Sequence, residues 1–204
     1  MTTLADTYKE RRSQMLVPLA ERLEKHLRGV FEGYVRIDRI SVRAKSIERF
    51  VAKAEKQTDG KLKYDDPLNQ IQDQIGARIV TFYKSDVDQL TEEVKKYLRY
   101  IESRQIVPDS EREFGYEGRH FILFLPRDIF DESVKEEESI PFFELQIKTL
   151  FQHAWSESEH DLGYKPSAEL SSDQKRRLAF TAAQAWGADQ IFEELYRQTT
   201  LGKP

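Results

Sequence analysis

Asp73 and Glu144 are the residues whose types and surroundings point most directly to chemistry. Asp73 opens the segment DQIGARIV, an apolar run with Arg78 inside it. Glu144 lies in FFELQIKT, where Phe143, Leu145 and Ile147 alternate with Glu144, Gln146 and Lys148. Alternation of this kind marks a strand that buries one face and displays the other. If the two segments are neighbouring strands, both carboxylates meet at one edge of a sheet. Mg²⁺ takes such a site, with one or two carboxylates and the remaining positions filled by water and substrate phosphates. A divalent ion there would offset the charge that builds up during phosphoryl transfer. Taken singly, Asp73 is equally compatible with an N-terminal cap, and Glu144 with a cross-strand ion pair.

A cationic cluster lies upstream. Arg43 ends an extended segment, Lys45, Arg49 and Lys53 follow at four-residue spacing, and Lys56 comes three residues later. On a helix these share one side, and like charges so placed repel by roughly 0.2–0.5 kcal/mol per pair. A polyphosphate held between them would relieve that repulsion; a solvated lysine-rich face is the plainer alternative. Arg43 and Arg78 weigh toward a ligand, because arginines in strands are seldom left unpaired. Their planar guanidinium groups can stack on a base as well as pair with phosphate. The chain contains neither GxxxxGK[ST] nor GxGxxG, so phosphates would be held by side chains rather than by a glycine-rich loop.

Two further features carry chemistry. In FGYEGRH, Gly115 and Gly118 flank Tyr116, which suggests a tight turn presenting the ring. An exposed tyrosine suits base stacking, worth about 1–3 kcal/mol, although the ring could also fold back on the core. His153, Glu157 and His160 fall at i, i+4 and i+7 of one helix. HExxH is absent and three ligands on one straight helix seldom converge, so substrate contacts or carboxylate pairing are preferred to zinc.

Periodicity supplies the elements that would position these groups. Residues 4–31 read as helix, with Leu16, Leu19, Leu23, Leu27 and Val30 as the apolar stripe and Pro18 as a break or first turn. Strands are expected at 34–43, 75–83, 100–107, 119–125 and 142–148. Helices are expected at 45–57, at 86–97 capped by Ser85, at 151–162, and at 171–198. The last opens on a Ser171/Gln174 capping box and would bury Leu178, Ala182, Ala185, Phe192 and Leu195. TDGKLKYDDP and PDSEREFGYEG read as loops, and the acidic run in DIFDESVKEEES as a solvated connection. The order implies an α/β (α+β) fold, a mixed sheet of about five strands flanked by helices. One domain over 1–204 is expected, with its core at about 34–165, an N-terminal helical region at 4–31 and a C-terminal helix at 171–198.

Composition narrows the classes. The formal net charge is -4, so the chain is not a generic polyanion binder and any phosphate site must be a local concentration of cations. With no cysteine, a disulfide scaffold, thiolate-bound zinc and a thiol nucleophile are excluded, which fits a reducing compartment. No apolar run approaches the roughly 20 residues that span a bilayer, and MTTLADTYKERR lacks the apolar core of a secretory signal. A cytoplasmic location with no membrane partner is expected.

Four motifs in this order resemble the synthetase domain of the RelA/SpoT-type alarmone synthetases, especially their single-domain small members. They are RAK with Lys53 beyond it, DQIGARIV, FGYEGRH, and ELQIKT followed by HAW, EH and YK. The resemblance covers roughly residues 40–165 and implies a nucleotidyltransferase-like synthetase fold. It also implies transfer of the β,γ-pyrophosphoryl group of ATP to the 3′-hydroxyl of GDP or GTP, with synthesis and no hydrolysis. By position it implies that Arg43 and Arg78 sandwich adenine and that Lys45 and Lys53 hold the ATP phosphates. Asp73 and Glu144 would bind Mg²⁺, with Glu144 also drawing the proton from the hydroxyl. Tyr116 would stack on guanine near His120 and Gln146, and His153 would read the guanine edge. The chain departs from the pattern at Gly118, where the family loop carries serine, and at Arg49, where a serine is usual and an arginine would add to the ATP-phosphate site. Toxic relatives that modify adenine nucleotides or the 3′ end of tRNA are the second reading, and a catalytically inactive nucleotide sensor the third. Small relatives also suggest a homo-oligomer formed through the terminal helices.

Overall fold

The computed structural model describes residues 2–110, 113–115, 117–131, 134, 139–163 and 170–201. The N-terminal region is helical throughout: α1 (Leu4–Arg11), a π-helical turn (Arg12–Leu16) and α2 (Val17–Val30). Pro18 falls in the first turn of α2, as one of the two readings of the sequence had it, and does not break the helical run. It has no N–H to give, and the preceding turn widens so that Val17 N–H reaches back to the Arg12 carbonyl. Leu16, Leu19, Leu23 and Leu27 are fully buried along one side.

Then follow β1 (Ile37–Ala44), α3 (Ile47–Ala54), β2 (Gln57–Thr58), β3 (Lys61–Leu62), α4 (Pro67–Gln70), β4 (Ile75–Thr81), α5 (Lys84–Tyr97), β5 (Tyr100–Ile106), β6 (Gly118–Phe124), β7 (Phe142–Thr149), α6 (Leu150–Gly163) and α7 (Ser172–Leu201). The main sheet has five strands in the order β1-β4-β7-β6-β5. β4 and β7 run parallel and the other neighbours are antiparallel, so the sheet is mixed as expected. One face is apolar, built from Ile40, Ile75, Ala77, Ile79, Phe121, Phe143, Leu145 and Ile147, and belongs to a single buried cluster that includes residues of α2 and α5. The opposite face is polar and carries the candidate chemistry.

Several boundaries differ from the sequence reading for identifiable reasons. The loop TDGKLKYDDP contains the β2–β3 hairpin and α4. Its turn residues Asp59 and Gly60 have φ of 53° and 75°, the left-handed pair that a two-residue hairpin demands. Ser85 does not cap α5. The helix starts at Lys84, and the Asp86 carboxylate takes the Tyr83 N–H at 3.1 Å.

The Ser171/Gln174 capping box is present, with Ser171 N–H on Gln174 Oε1 and Gln174 N–H on Ser171 Oγ. The buried side expected for α7 needs correction over its second half. Ala182 is buried, but Phe192 and Leu195 are 48% and 50% exposed, and Asp189 and Glu193 are buried in their place. The cause is what α7 lies against. Glu193 accepts the Ser85 N–H in the first turn of α5, and Asp189 accepts from the Thr149 hydroxyl at the end of β7. The helix N-terminus of α5 presents an unsatisfied donor to Glu193, and a buried hydroxyl faces Asp189, so this stretch turns its acids inward.

Candidate active site

The site is assembled by strand register. On the polar face, Arg43 of β1, Gly76 of β4 and Glu144 of β7 form one row. Ser41, Arg78, Gln146 and His120 form the next. Asp73 sits in a short 3-10 turn (Gln72–Gln74) that leads into β4, just before the row that holds Glu144. The two carboxylates, distant in sequence, therefore line one cleft of about 510 Å³. Gly76 lies on its floor between Arg43 and Glu144, where an added Cβ would meet nothing within 4 Å. The space above this row is open to a ligand.

The cations that border the cleft come from the turn after β1 and from α3. Ser46 caps α3 by accepting the Arg49 N–H, and the amphipathic helix buries Phe50 and Ala54. That leaves Lys53 on the side where Asp73 lies. Lys45 Nζ and Lys53 Nζ each stand 2.9 Å from Asp73 Oδ2. Burial pushes the Asp73 carboxyl up, but the two ammonium groups outweigh it and hold its pKa below the usual value. The other oxygen, Oδ1, is buried and has no hydrogen-bond partner among the described residues.

Glu144 has its own partners. His120 Nδ1 lies 3.0 Å from Oε1, and Gln146 Nε2 donates to Oε2 at 3.1 Å. Burial raises its pKa and the negative charge of Asp73 adds to this, but the His120 contact and the Gln146 hydrogen bond prevail, so the net shift is downward. Both acids are ionised at neutral pH.

Arg78 is gripped from α6. Its Nη2 pairs with Glu157 at 2.9 Å, and its Nη1 faces His153 Nδ1 at 3.2 Å. Because the guanidinium can only donate, Nδ1 accepts and the ring proton sits on Nε2. Burial, and then Arg78, push the His153 pKa down, in keeping with a neutral ring. His153 thus stands beside Arg78, one of the two arginines implied for adenine, while His120 and Gln146 stand beside Glu144. Arg43 and Arg49 line the same cleft as Arg78. Tyr116 lies outside the described residues.

In the sequence, Lys148 is only one member of an alternation. It follows Glu144 and Gln146 on the polar face and is covered by α6, leaving it 3% exposed. Its Nζ donates to Ser156 Oγ at 3.2 Å, and Ser156 Oγ donates to the His153 carbonyl. Burial first, then the charge of Arg78, bring its pKa down to about 7. The strand parity that marked Glu144 could have flagged this lysine. Glu157 could not have been linked to Arg78 from spacing, because their contact depends on how α6 crosses the sheet. Arg12 is a further cleft residue from a distant element.

Residues 42–169 match the family model described as the region found in RelA / SpoT proteins. The chain belongs to the RelA/SpoT family. The matched segment runs from β1 to beyond α6 and contains every residue of the two polar rows except Ser41. Among curated proteins, this RelA/SpoT member is 25% identical over 196 residues to the GTP pyrophosphokinase YjbM of Bacillus subtilis (strain 168), covering 89% of this chain and 87% of that protein. Its fold matches a GTP pyrophosphokinase family protein from Streptococcus pneumoniae with a TM-score of 0.77, at 23% identity over 98% of this chain and 97% of the other. It also matches the small alarmone synthetase 1 of Bacillus subtilis bound to its product pppGpp, with a TM-score of 0.75 and 24% identity over 96% of this chain and 100% of that one. The mixed sheet and its flanking helices are those of the small alarmone synthetases. Among the described residues, no helix is long and apolar enough to cross a membrane.

Proposed function

We propose that this chain, as one synthetase domain with its catalytic core at about residues 34–165, transfers the β,γ-pyrophosphoryl group of ATP to the 3′-hydroxyl of GDP or GTP. The observation that carries this reading is the meeting of Asp73 and Glu144 at the entrance of two parallel strands, beside a cationic cradle. The hydroxyl oxygen attacks Pβ of ATP. The new O–Pβ bond forms as the bond from Pβ to the α,β-bridging oxygen breaks, AMP departs, and Glu144 takes the hydroxyl proton.

Each side chain has a defined task. Lys45, Lys53 and Arg49 hold the triphosphate, and Arg43 and Arg78 face each other's charge across the cleft as stacking planes for adenine. Arg78 suits stacking because Glu157 already occupies one edge of its guanidinium. Tyr116 stacks on the acceptor base, with His120, Gln146 and His153 as polar contacts for the acceptor. His120 also fixes Glu144 through Oε1. Most of the catalysis is positioning and electrostatics, as expected for an in-line phosphoryl transfer.

The acidic pair fits Mg²⁺. Asp73 Oδ1 is buried without a partner, and an orphaned carboxylate oxygen beside a second carboxylate is a donor set suited to a hard cation. Among the described residues there is no group of three or more metal-ligating side chains, so such an ion would draw its other ligands from phosphate and water. Held by Asp73 and Glu144, it would supply charge neutralisation for the phosphoryl oxygens.

One assay tests the reading: ATP labelled on the γ-phosphate, offered with GDP, GTP, ADP or deacylated tRNA, with and without Mg²⁺. Label transferred to GDP or GTP only when Mg²⁺ is present supports the proposal. Label on ADP or tRNA alone would replace the acceptor assignment, and no transfer to any acceptor would leave a nucleotide-binding sensor.

A further inference from the structure

We propose that Arg12 is a phosphate-binding residue of the donor site, delivered by the N-terminal helix from outside the segment that the family model covers. The inference rests on reading the cleft as the place where a nucleoside triphosphate binds, and it adds a recognition element from another part of the fold. Arg12 opens the π-helical turn between α1 and α2, and π-turns are frequent at functional sites. Its side chain lines the same cleft as Arg43, Lys45 and Asp73.

The side chain is anchored rather than loose. Arg12 Nε donates to the Lys45 carbonyl at 3.1 Å, and Tyr8 Oη donates to the same oxygen at 3.1 Å. Tyr8 is fully buried and stacks on Phe50 of α3, with centroids 3.7 Å apart and planes 1° from parallel. The helix that carries Arg12 is therefore clamped to the element that carries Lys53. With Nε committed to a backbone oxygen, the two terminal nitrogens of Arg12 keep four N–H donors in one plane. That fork matches the spacing of two phosphate oxygens.

The electrostatics separate Arg12 from the paired cations of the cleft. Lys45 and Lys53 share the Asp73 carboxylate, and Arg78 is paired with Glu157. No described carboxylate lies within 4.0 Å of the Arg12 guanidinium. Its neighbour Arg11 is directed elsewhere, donating to the Leu68 carbonyl. The charge of Arg12 is thus available to an incoming anion at the edge of the cleft, next to the lysine implied for the triphosphate. The assignment gives Arg12 the phosphate chain beyond the α-phosphate, so a triphosphate should engage it and a monophosphate should not.

The test is calorimetric titration of α,β-methylene ATP and of AMP into the wild-type chain, Arg12→Gln, Arg12→Lys and Tyr8→Phe, with Mg²⁺ present. A charge-assisted bidentate contact predicts that Arg12→Gln weakens the triphosphate by about tenfold or more and AMP by less than about twofold. Arg12→Lys, which keeps the charge and loses the fork, should fall between. Tyr8→Phe removes the other donor on the Lys45 carbonyl and should leave the triphosphate-to-AMP ratio unchanged. Equal weakening of both nucleotides by Arg12→Gln would mean that Arg12 acts on the base site or the fold rather than on the phosphates, and selective weakening of the triphosphate by Tyr8→Phe as well would mean that Arg12 only props Lys45; either would overturn the assignment. So would an unchanged affinity for the triphosphate. Failure of the wild-type chain to bind either nucleotide would instead bring down the donor-site reading, and this inference with it.

Discussion

Replacing Asp73 with asparagine should have two effects of opposite sign, which makes it a demanding test of the site. Asp73 holds Lys45 and Lys53 at 2.9 Å each and so withdraws part of their charge from an incoming nucleotide. A phosphate oxygen taken up on the far side of either ammonium would stand roughly 5–6 Å from the Asp73 carboxylate, the sum of two contacts of ordinary length. At an effective dielectric constant near 20, the repulsion at that distance is about 3 kcal/mol. This corresponds to about a hundredfold in affinity, reduced by salt to somewhere between ten- and a hundredfold. Asp73→Asn should therefore bind ATP more tightly than wild type when no divalent ion is present. It should also lose the gain in ATP affinity that Mg²⁺ confers, and transfer should fall by at least about a hundredfold, the scale of losing a metal-bound charge-neutralising group. The assays are titration of ATP with EDTA and with Mg²⁺, and single-turnover transfer at saturating ATP. Metal-free affinity that is unchanged or weaker would refute the electrostatic argument. Full transfer activity would refute the assignment of Asp73 to the ion.

Glu144→Gln should abolish transfer by about 10³-fold or more, combining lost base and ion contact. Its fold should stay intact, with at most a modest fall in melting temperature, because the lost contact of the charge with His120 is partly offset by relief from burial and from Asp73; turnover within tenfold of wild type would overturn the role. Tyr116→Ala should weaken the acceptor by about 1–3 kcal/mol and leave ATP affinity within about twofold, as read by separate titrations. Asp189 is an acid whose pKa is raised to about 6, chiefly by burial against the opposing hydrogen bond from Thr149. The native state then holds its proton more tightly than the unfolded state does, so this group's contribution to stability is present below about pH 4 and is lost as pH rises through about 6. Asp189→Asn should remove that slope and stabilise the protein at pH 7.5 by an amount of order 3 kcal/mol, since each tenfold difference in proton affinity between the two states is worth about 1.4 kcal/mol. Denaturant titrations of both proteins at pH 4.5 and 7.5 would show it, and parallel pH profiles would contradict it.

The parts of the molecule that were legible in the sequence are those set by local periodicity. Alternation marked β7 and told which of its residues share a face with Glu144. Apolar runs marked β4, and the Ser171/Gln174 spacing marked the start of α7. What sequence could not supply was contact between elements. The neighbouring of β4 and β7, stated only as a condition on Asp73 and Glu144, is a property of the sheet order. The grip of His153 and Glu157 on Arg78 depends on the angle at which α6 crosses the sheet. The second half of α7 misled for a physical reason. Phe192 and Leu195 mimic a buried stripe, but the helix passes over the N-terminus of α5 and the end of β7, where buried carboxylates accept from an N–H and a hydroxyl that a leucine could not satisfy. Ser85 misled for a related reason, since a nearby aspartate took the cap. Tyr116 was singled out by flanking glycines alone and lies outside the described residues.

The charge of the cleft joins these observations. The chain as a whole carries -4, yet its cleft gathers Arg12, Arg43, Lys45, Arg49 and Arg78 around two acids. Gathering that many cations without a ligand raises the free energy of the empty site, and the pKa of Arg43 records it. Burial first, and then Arg49 and Arg78, lower that pKa, while Glu157 opposes them. Arg49 replaces the serine that resemblance to the family would place there, so this chain carries one positive charge more than the pattern. Glu157 offsets that excess from the other wall by pairing with Arg78, and because its side chain remains 48% exposed it can be outcompeted when a nucleotide arrives. Asp73 acts in the same way toward Lys45 and Lys53. The carboxylates of the cleft thus serve as counter-ions to its cations, and under the proposed function Asp73, relieved of its lysines by the phosphates, would be free to hold a divalent ion. On that proposal, the cleft would bind the nucleotide and the ion together more favourably than either alone. The coupling follows from electrostatics and requires no movement of the fold.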